Sequence, residues 1–346
     1  MKVCLLLCLF FLAVTGVSAQ EREYLYVENS RGGDITVIEI PSHKVVGTIP
    51  ASKVGHHPDD VIATKSGDTI YVNRLDKRDI LAISTATEEV LWRVEVGGTP
   101  HHMSLSADER FLYAPIFNDQ FLEVIDTGLR KVVARVEVGY GPHGTFLSPD
   151  GKRLYVGGLL GHQIAVVEVG THKVVKKIQF PNGVRPFAIS PDEKRLYVQL
   201  SRLHGFVVVD LRDDRIAQTV HLPTFGKDIP TSAYAEFPHT VNHGMALTGD
   251  GKYLFVAATL SDFVAVYSLP DLDLVATVPV GKEPGWLVLS RDGRFCYASN
   301  RKDNSVSVIS VSDRKEIARI AVGDYPQRMT TAVVRGRRVA DRRGGR

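Results

Sequence analysis

Along nearly the whole chain an aliphatic residue, an aromatic and a small apolar residue recur in that order: Leu25-Tyr26-Val27, Ile70-Tyr71-Val72, Leu112-Tyr113-Ala114, Leu154-Tyr155-Val156, Leu196-Tyr197-Val198, Leu254-Phe255-Val256 and Cys296-Tyr297-Ala298. The central aromatics are spaced by 45, 42, 42, 42, 58 and 42 residues. This is the period of a four-stranded propeller blade and is too long for leucine-rich repeats. Downstream of each copy, apolar and polar residues alternate with the period of two of half-buried strands, as in Ile164 to Val169 and Lys173 to Ile178. Upstream stands a hairpin turn of the kind Ser148-Pro149-Asp150-Gly151, where Asp supplies local hydrogen bonds and Gly the positive φ. The pattern predicts an all-β protein: a seven-bladed β-propeller of four-stranded antiparallel blades, strands A to D, with the aromatic on B.

Leu154-Tyr155-Val156 and the Ser-Pro-Asp-Gly-Lys of 148 to 152 resemble the YVTN family of propeller repeats, over roughly residues 24 to 334. The resemblance implies the fold and an exported protein, because that family includes secreted, periplasmic and surface-layer proteins. It leaves activity open, since propellers host unrelated chemistries. Related propellers occur in nitrous oxide reductase, in haem-d1 nitrite reductase and in a family of lactonases.

The first copy has no strand A before it, and Arg328 to Val334 form an orphan strand at the other end. The C-terminal strand is therefore expected to complete the first blade. Residues 1–19 read as a signal peptide: Lys2, an apolar run from Val3 to Val14, then Val17 and Ala19 at the small-residue positions of a cleavage site. That run is too short to span a bilayer, so the mature protein, residues 20–334 plus a tail, is expected to be secreted or periplasmic, without a transmembrane segment and monomeric. The formal charge of +3 belongs to residues 335–346, which hold six Arg and one Asp, and the propeller itself is net acidic. A tail so rich in Arg and Gly is expected to be disordered and suited to an anionic envelope component. Cys4 and Cys8 leave with the signal peptide, and Cys296 takes the aliphatic place of the repeat, so no disulfide is expected.

Chemistry is sought where the repeats disagree. Twelve residues before each aromatic, at the entrance of strand A, stand Asp59, His101, His143, Arg185, His243 and Gly285, with Gln327 by extrapolation to the split blade. Strand A is innermost in a propeller, so these side chains should ring one mouth of the central channel. Beside them lie His56, His57, Asp60, His102, His239, Glu283, Trp286 and Arg328. Neither turn chemistry nor apolar strands explain such a concentration of His. Imidazoles with a nearby carboxylate suit a transition metal, copper or zinc, with His57, His101, His143 and His243 as ligands. Asp59, Asp60, His102, Arg185, His239, Glu283, Trp286 and Arg328 are then candidates for binding a small ligand.

Two alternatives stand beside metal binding. One is a metal-free, lactonase-like hydrolase drawing acid, base and cationic groups from Asp59, Asp60, His101, His143, Arg185 and Glu283, with Arg185 on an oxyanion and a His as base. The other is a non-catalytic envelope binding or scaffold protein. His56-His57-Pro58 and Pro142-His143-Gly144 look like His-bearing blade entrances of nitrous oxide reductase, but the chain has no second, cupredoxin-like domain. It also lacks Cys-x-x-Cys-His, a nucleophile elbow, a phosphate-binding loop and a Rossmann fingerprint, so no haem, nucleotide or flavin is expected. The surplus in the 58-residue spacing falls in 223 to 242, and this aromatic insertion, with Phe225, Tyr234, Phe237 and His239, is expected to overhang the mouth as a lid.

Overall fold

The computed structural model describes residues 21–230 and 240–335. The expected signal peptide, the tail beyond Arg335, and Tyr234, Phe237 and His239 of the expected lid lie outside the described residues. The described chain forms seven four-stranded antiparallel sheets. Blade 2 shows the plan: Pro58–Ala63, Thr69–Arg74, Asp79–Ser84 and Val90–Glu95 are its strands A to D. The one α-helical turn among the described residues, Ala51–Val54, lies in the crossover from blade 1 to blade 2.

Closure follows the split-blade expectation. The C-terminal strand Pro326–Arg335 pairs with Glu21–Asn29, matching Tyr26 to Thr330 and Tyr24 to Ala332. It starts two residues earlier than Arg328, which brings Gln327 into the strand. Its flanks touch strand A of blade 2 and strand A of blade 7, so it sits in the inner ring.

The recurring triplet has a simple cause. Successive residues of a strand point to opposite faces, so the aromatic faces one neighbouring blade and the aliphatic residue before it faces the other. Tyr26 shares a buried cluster with Ile70, Tyr71 with Leu112, Tyr113 with Leu154, Tyr155 with Leu196, Tyr197 with Leu254 and Phe255 with Cys296. Tyr297 packs with Leu25 and closes the circle. Cys296 is thus a packing residue, and burial pushes its thiol well above the ordinary range.

The A–B turns also follow from their residues. Ser148 donates to Asp150 at 2.7 Å, as Ser190 does to Asp192 and Ser290 to Asp292. Gly151 and Gly293 hold φ near +70°, and Glu109 and Glu193 accept the same conformation in their blades. Residues at the C–D turns fasten blade to blade: His172 meets the Tyr113 hydroxyl at 3.4 Å, His43 meets Tyr297 at 3.3 Å and Arg314 donates to Tyr253 at 2.9 Å.

Candidate active site

The ring positions are set by an irregularity of the strands that carry them. In blades 1, 2, 4, 5 and 7 the pairing of strand A with strand B shifts register at the entrance, around Gln327–Arg328, Asp59, His143, Arg185–Pro186 and Gly285–Trp286. Such bulges turn a residue out of the ladder and re-aim its side chain. Here they aim it at the channel. Asp59, His101, His143, Arg185, His243 and Arg328 are all buried.

Blades 2 to 4 bring the imidazoles together. The Asp59 carboxylate lies 3.1 Å from Nδ1 of His101 and 3.7 Å from Nε2 of His102. The ring of His143 is 4.2 Å from that of His102 and 5.1 Å from that of His101, centre to centre. His102 is tied to His143 through the backbone, its N–H donating to the His143 carbonyl at 3.1 Å. His243 stands further round, 5.7 Å from His102 and 6.1 Å from His143, with Nδ1 at 2.9 Å from the Gly285 carbonyl.

The acidic side of the ring is completed by the closing strand. Gln327 donates to Asp59 at 2.6 Å, and the Arg328 guanidinium lies 3.8 Å from Asp60 and 3.4 Å from the centre of the Trp286 ring. Asp60 in turn accepts from the Met103 N–H at 2.6 Å. Burial raises Asp60 to about 6 in spite of Arg328, and burial together with Asp59 keeps Glu28 well above the usual carboxyl range. For Asp59 the burial penalty is outweighed by His101, Arg328 and His143, so its carboxyl stays below the ordinary value.

Across the channel the charge reverses. Arg185 donates to Ser201 at 3.1 Å, and burial with the nearby charge of Arg301 brings it down to about 9. Arg301 enters from the end of strand B of blade 7. It fills the space over Gly285, where a Cβ would overlap its guanidinium. Burial holds His143 well below its ordinary value, reinforced by the charges of His101 and Arg185. His243 is held there by burial and Arg301. Both imidazoles are therefore neutral near pH 7.

Several expected site residues fall elsewhere. His57 is exposed on the loop before strand A, at φ +50°, and does not join the imidazole cluster; His102, expected to bind ligand, takes the place beside His101 and His143. Glu283 lies at the rim, 2.8 Å from Lys302, 4.0 Å from Arg301 and accepting from the Tyr325 hydroxyl at 3.1 Å. His239 is outside the described residues. Phe225, from the expected lid, packs edge-on against Phe263 at 5.5 Å. Arg301 was not among the expected residues. Four places after the aromatic, the blades read Ser30, Leu75, Phe117, Leu159, Ser201, Thr259 and Arg301. The one charged side chain in that series belongs to the blade whose ring position is Gly285.

Buried imidazoles, carboxylates and guanidiniums thus converge at the strand A entrances of a seven-bladed propeller. Residues 25–319 match the lactonase, seven-bladed β-propeller family, and the chain belongs to it. No curated protein matches in sequence. Among solved structures, the chain is similar to the periplasmic gluconolactonase of Pseudomonas aeruginosa, with a TM-score of 0.69 and 17% identity over 89% of this chain and 99% of that one. A putative 6-phosphogluconolactonase of Bacteroides fragilis superposes with a TM-score of 0.72 and 16% identity over 92% and 99%. Hydrazine synthase of Kuenenia stuttgartiensis gives 0.69 and 22% over 84% and 92%. At these identities the structural likeness establishes the fold.

Proposed function

We propose that the protein is a hydrolase of cyclic esters acting at the ring formed by Asp59, His101, His143 and Arg185. The observation that carries this reading is the Asp59–His101 pair at 3.1 Å, facing buried guanidiniums across the channel of a lactonase-family propeller. Asp59 engages Nδ1 of His101, so proton exchange falls to Nε2. That nitrogen takes a proton from water as the water oxygen bonds to the lactone carbonyl carbon. Arg185, with Arg301, stabilises the negative charge on the carbonyl oxygen. The bond from that carbon to the ring oxygen then breaks, the imidazolium returns its proton to the departing alkoxide, and the product is a hydroxy acid. The likeness to a periplasmic gluconolactonase favours a sugar lactone and an exported enzyme, in keeping with residues 1–19.

The test is proton release from a panel of five- and six-membered sugar lactones by purified protein. Turnover is expected, falling about 10²–10⁴-fold in His101→Ala. A panel hydrolysed no faster than in buffer overturns the reading.

A second reading, a bound transition metal, rests on His101, His102 and His143, whose ligand atoms all lie within 4.8 Å of one another. Three converging imidazoles suit zinc or copper. The placing of Asp59 against His101 Nδ1 gives the carboxylate the supporting role that commonly orients a metal-bound His. Bound there, the ion would supply Lewis-acid activation. Elemental analysis of protein purified without chelator should find about one zinc or copper per chain on this reading, and metal-free protein excludes it.

A further inference from the structure

The bulges that aim the ring residues also take backbone N–H groups out of the strand ladders, and a buried N–H needs another partner. The residue two places after each aromatic, Glu28, Asn73, Pro115, Gly157, Gln199, Ala257 or Ser299, stands directly behind the ring. In blades 1, 2 and 7 it accepts from such an N–H. Ser299 accepts from the Trp286 N–H at 2.9 Å and donates to the Gln327 carbonyl of the next blade at 3.1 Å. Glu28 accepts from the Arg328 N–H at 3.3 Å. Blade 5 has Pro186 at its bulge, which brings no N–H.

Asn73 carries this device furthest. Its Oδ1 accepts from the N–H groups of Asp59 at 3.1 Å and Asp60 at 2.7 Å, and its Nδ2 donates to the carbonyls of Pro100 and His101, both at 2.9 Å. One buried amide therefore fastens the entrance of blade 2 to that of blade 3. Blade 3 needs the support, because its strand A is the shortest, Ser104–Leu105, and His101 lies ahead of it. An amide alone offers both an acceptor and a pair of donors at this size.

We infer that Asn73 is the positioning residue of the Asp59–His101 pair, setting the distance between carboxylate and imidazole across the blade boundary. The inference rests on the reading of that pair as the base of the hydrolase. Asn73→Ser withdraws the amide from both blades. Asn73→Asp keeps the size but turns an oxygen toward two carbonyl oxygens, so it keeps the measurement available if the smaller residue weakens folding.

The experiment is nitrogen-15 NMR of the imidazoles in the full chain, together with lactone hydrolysis. In the wild type, His101 should show a single tautomer with the proton on Nδ1. Both Asn73 variants should lose that signature, and kcat should fall about 10- to 100-fold with KM changed less than about threefold, as expected when a catalytic group is misplaced rather than removed. Asn300→Ser is the structural control: Asn300 is buried and donates to Ser305 at 3.0 Å and Ser307 at 2.8 Å, so its loss should lower the melting temperature and leave His101 unchanged. An unaltered His101 tautomer in Asn73→Ser and Asn73→Asp overturns the inference. Absence of lactone turnover in the wild type removes the hydrolase reading and leaves the positioning of His101 to be decided by the imidazole spectrum alone.

Discussion

Blades 1 to 3 and blades 5 to 7 place equivalent residues round one axis, yet the first group brings Glu28, Asp59 and Asp60 and the second brings Arg185 and Arg301. On the acidic side each carboxyl is answered by the closing strand: Gln327 reaches Asp59, Arg328 reaches Asp60 and the Arg328 N–H reaches Glu28. On the cationic side the two guanidiniums push on one another, and Glu283 stands at the rim 4.0 Å from Arg301 and is shared with Lys302. The difference teaches that the repeat fixes position while leaving charge free to vary. The acidic half is a network completed by the closing strand, and the cationic half gathers two buried guanidiniums.

The strongest way to break this contrast is to remove the strand that serves the acidic half. Ending the chain at Asp324 takes away Gln327, Arg328 and the buried Met329, Ala332 and Val334. The lost burial and ladder bonds should cost on the order of 5 kcal/mol, seen as a collapse of the urea midpoint. Ending it at Arg335 should leave the midpoint unchanged, and equal behaviour of the two truncations would refute closure by this strand.

Next, Arg185→Ala tests the cationic half by function. It should lower kcat for lactone hydrolysis about 10²- to 10³-fold, the usual result of removing a charge-stabilising donor. Its thermal stability should hold or rise, because a buried cation repelled by Arg301 is gone. A loss of stability without a loss of rate would reverse the roles assigned to the halves.

A smaller effect sharpens the comparison through pH. Asp60 titrates at about 6 in the fold against an ordinary 3.8. The fold thus holds this proton more tightly than the unfolded chain does. The stability tied to it is full below pH 3.8 and is lost as pH rises through about 6, a change of about 3 kcal/mol at most. Asp60→Asn should flatten that part of the curve when urea midpoints are compared from pH 4 to 7, and an unchanged curve would contradict the burial of this carboxyl.

The smallest change is expected outside the ring. His172→Ala removes a contact to Tyr113 in an outer turn; it should cost less than about 1 kcal/mol and leave turnover intact, whereas a large loss of rate would show that proximity to the mouth is not what matters.

The fold was legible because one residue per blade must be aromatic and the one before it aliphatic, each for its own boundary. The ring was legible in part, since Asp59, His101, His143, Arg185 and His243 share a phase of the repeat. Arg301 was hidden because it reaches Gly285's place from a different strand, which no single phase reveals. His57 misled by adjacency: it precedes Pro58 and Asp59, but a positive φ turns it outward. Asn73 sits among strand residues, and its role depends on a bulge that periodicity does not show.

The closing strand also sets a time order. Gln327 follows Asp59 by 268 positions, so a ribosome delivers the imidazoles, Asp59 and Asp60 long before the groups that hold those carboxylates. Contacts so remote in sequence form slowly, since the chain must first surrender the freedom of everything between them. A partly synthesised chain carries the imidazoles but no settled charge beside them. The ring is then complete only when the last strand docks, and an interrupted chain would lack the groups that hold Asp59 and Asp60.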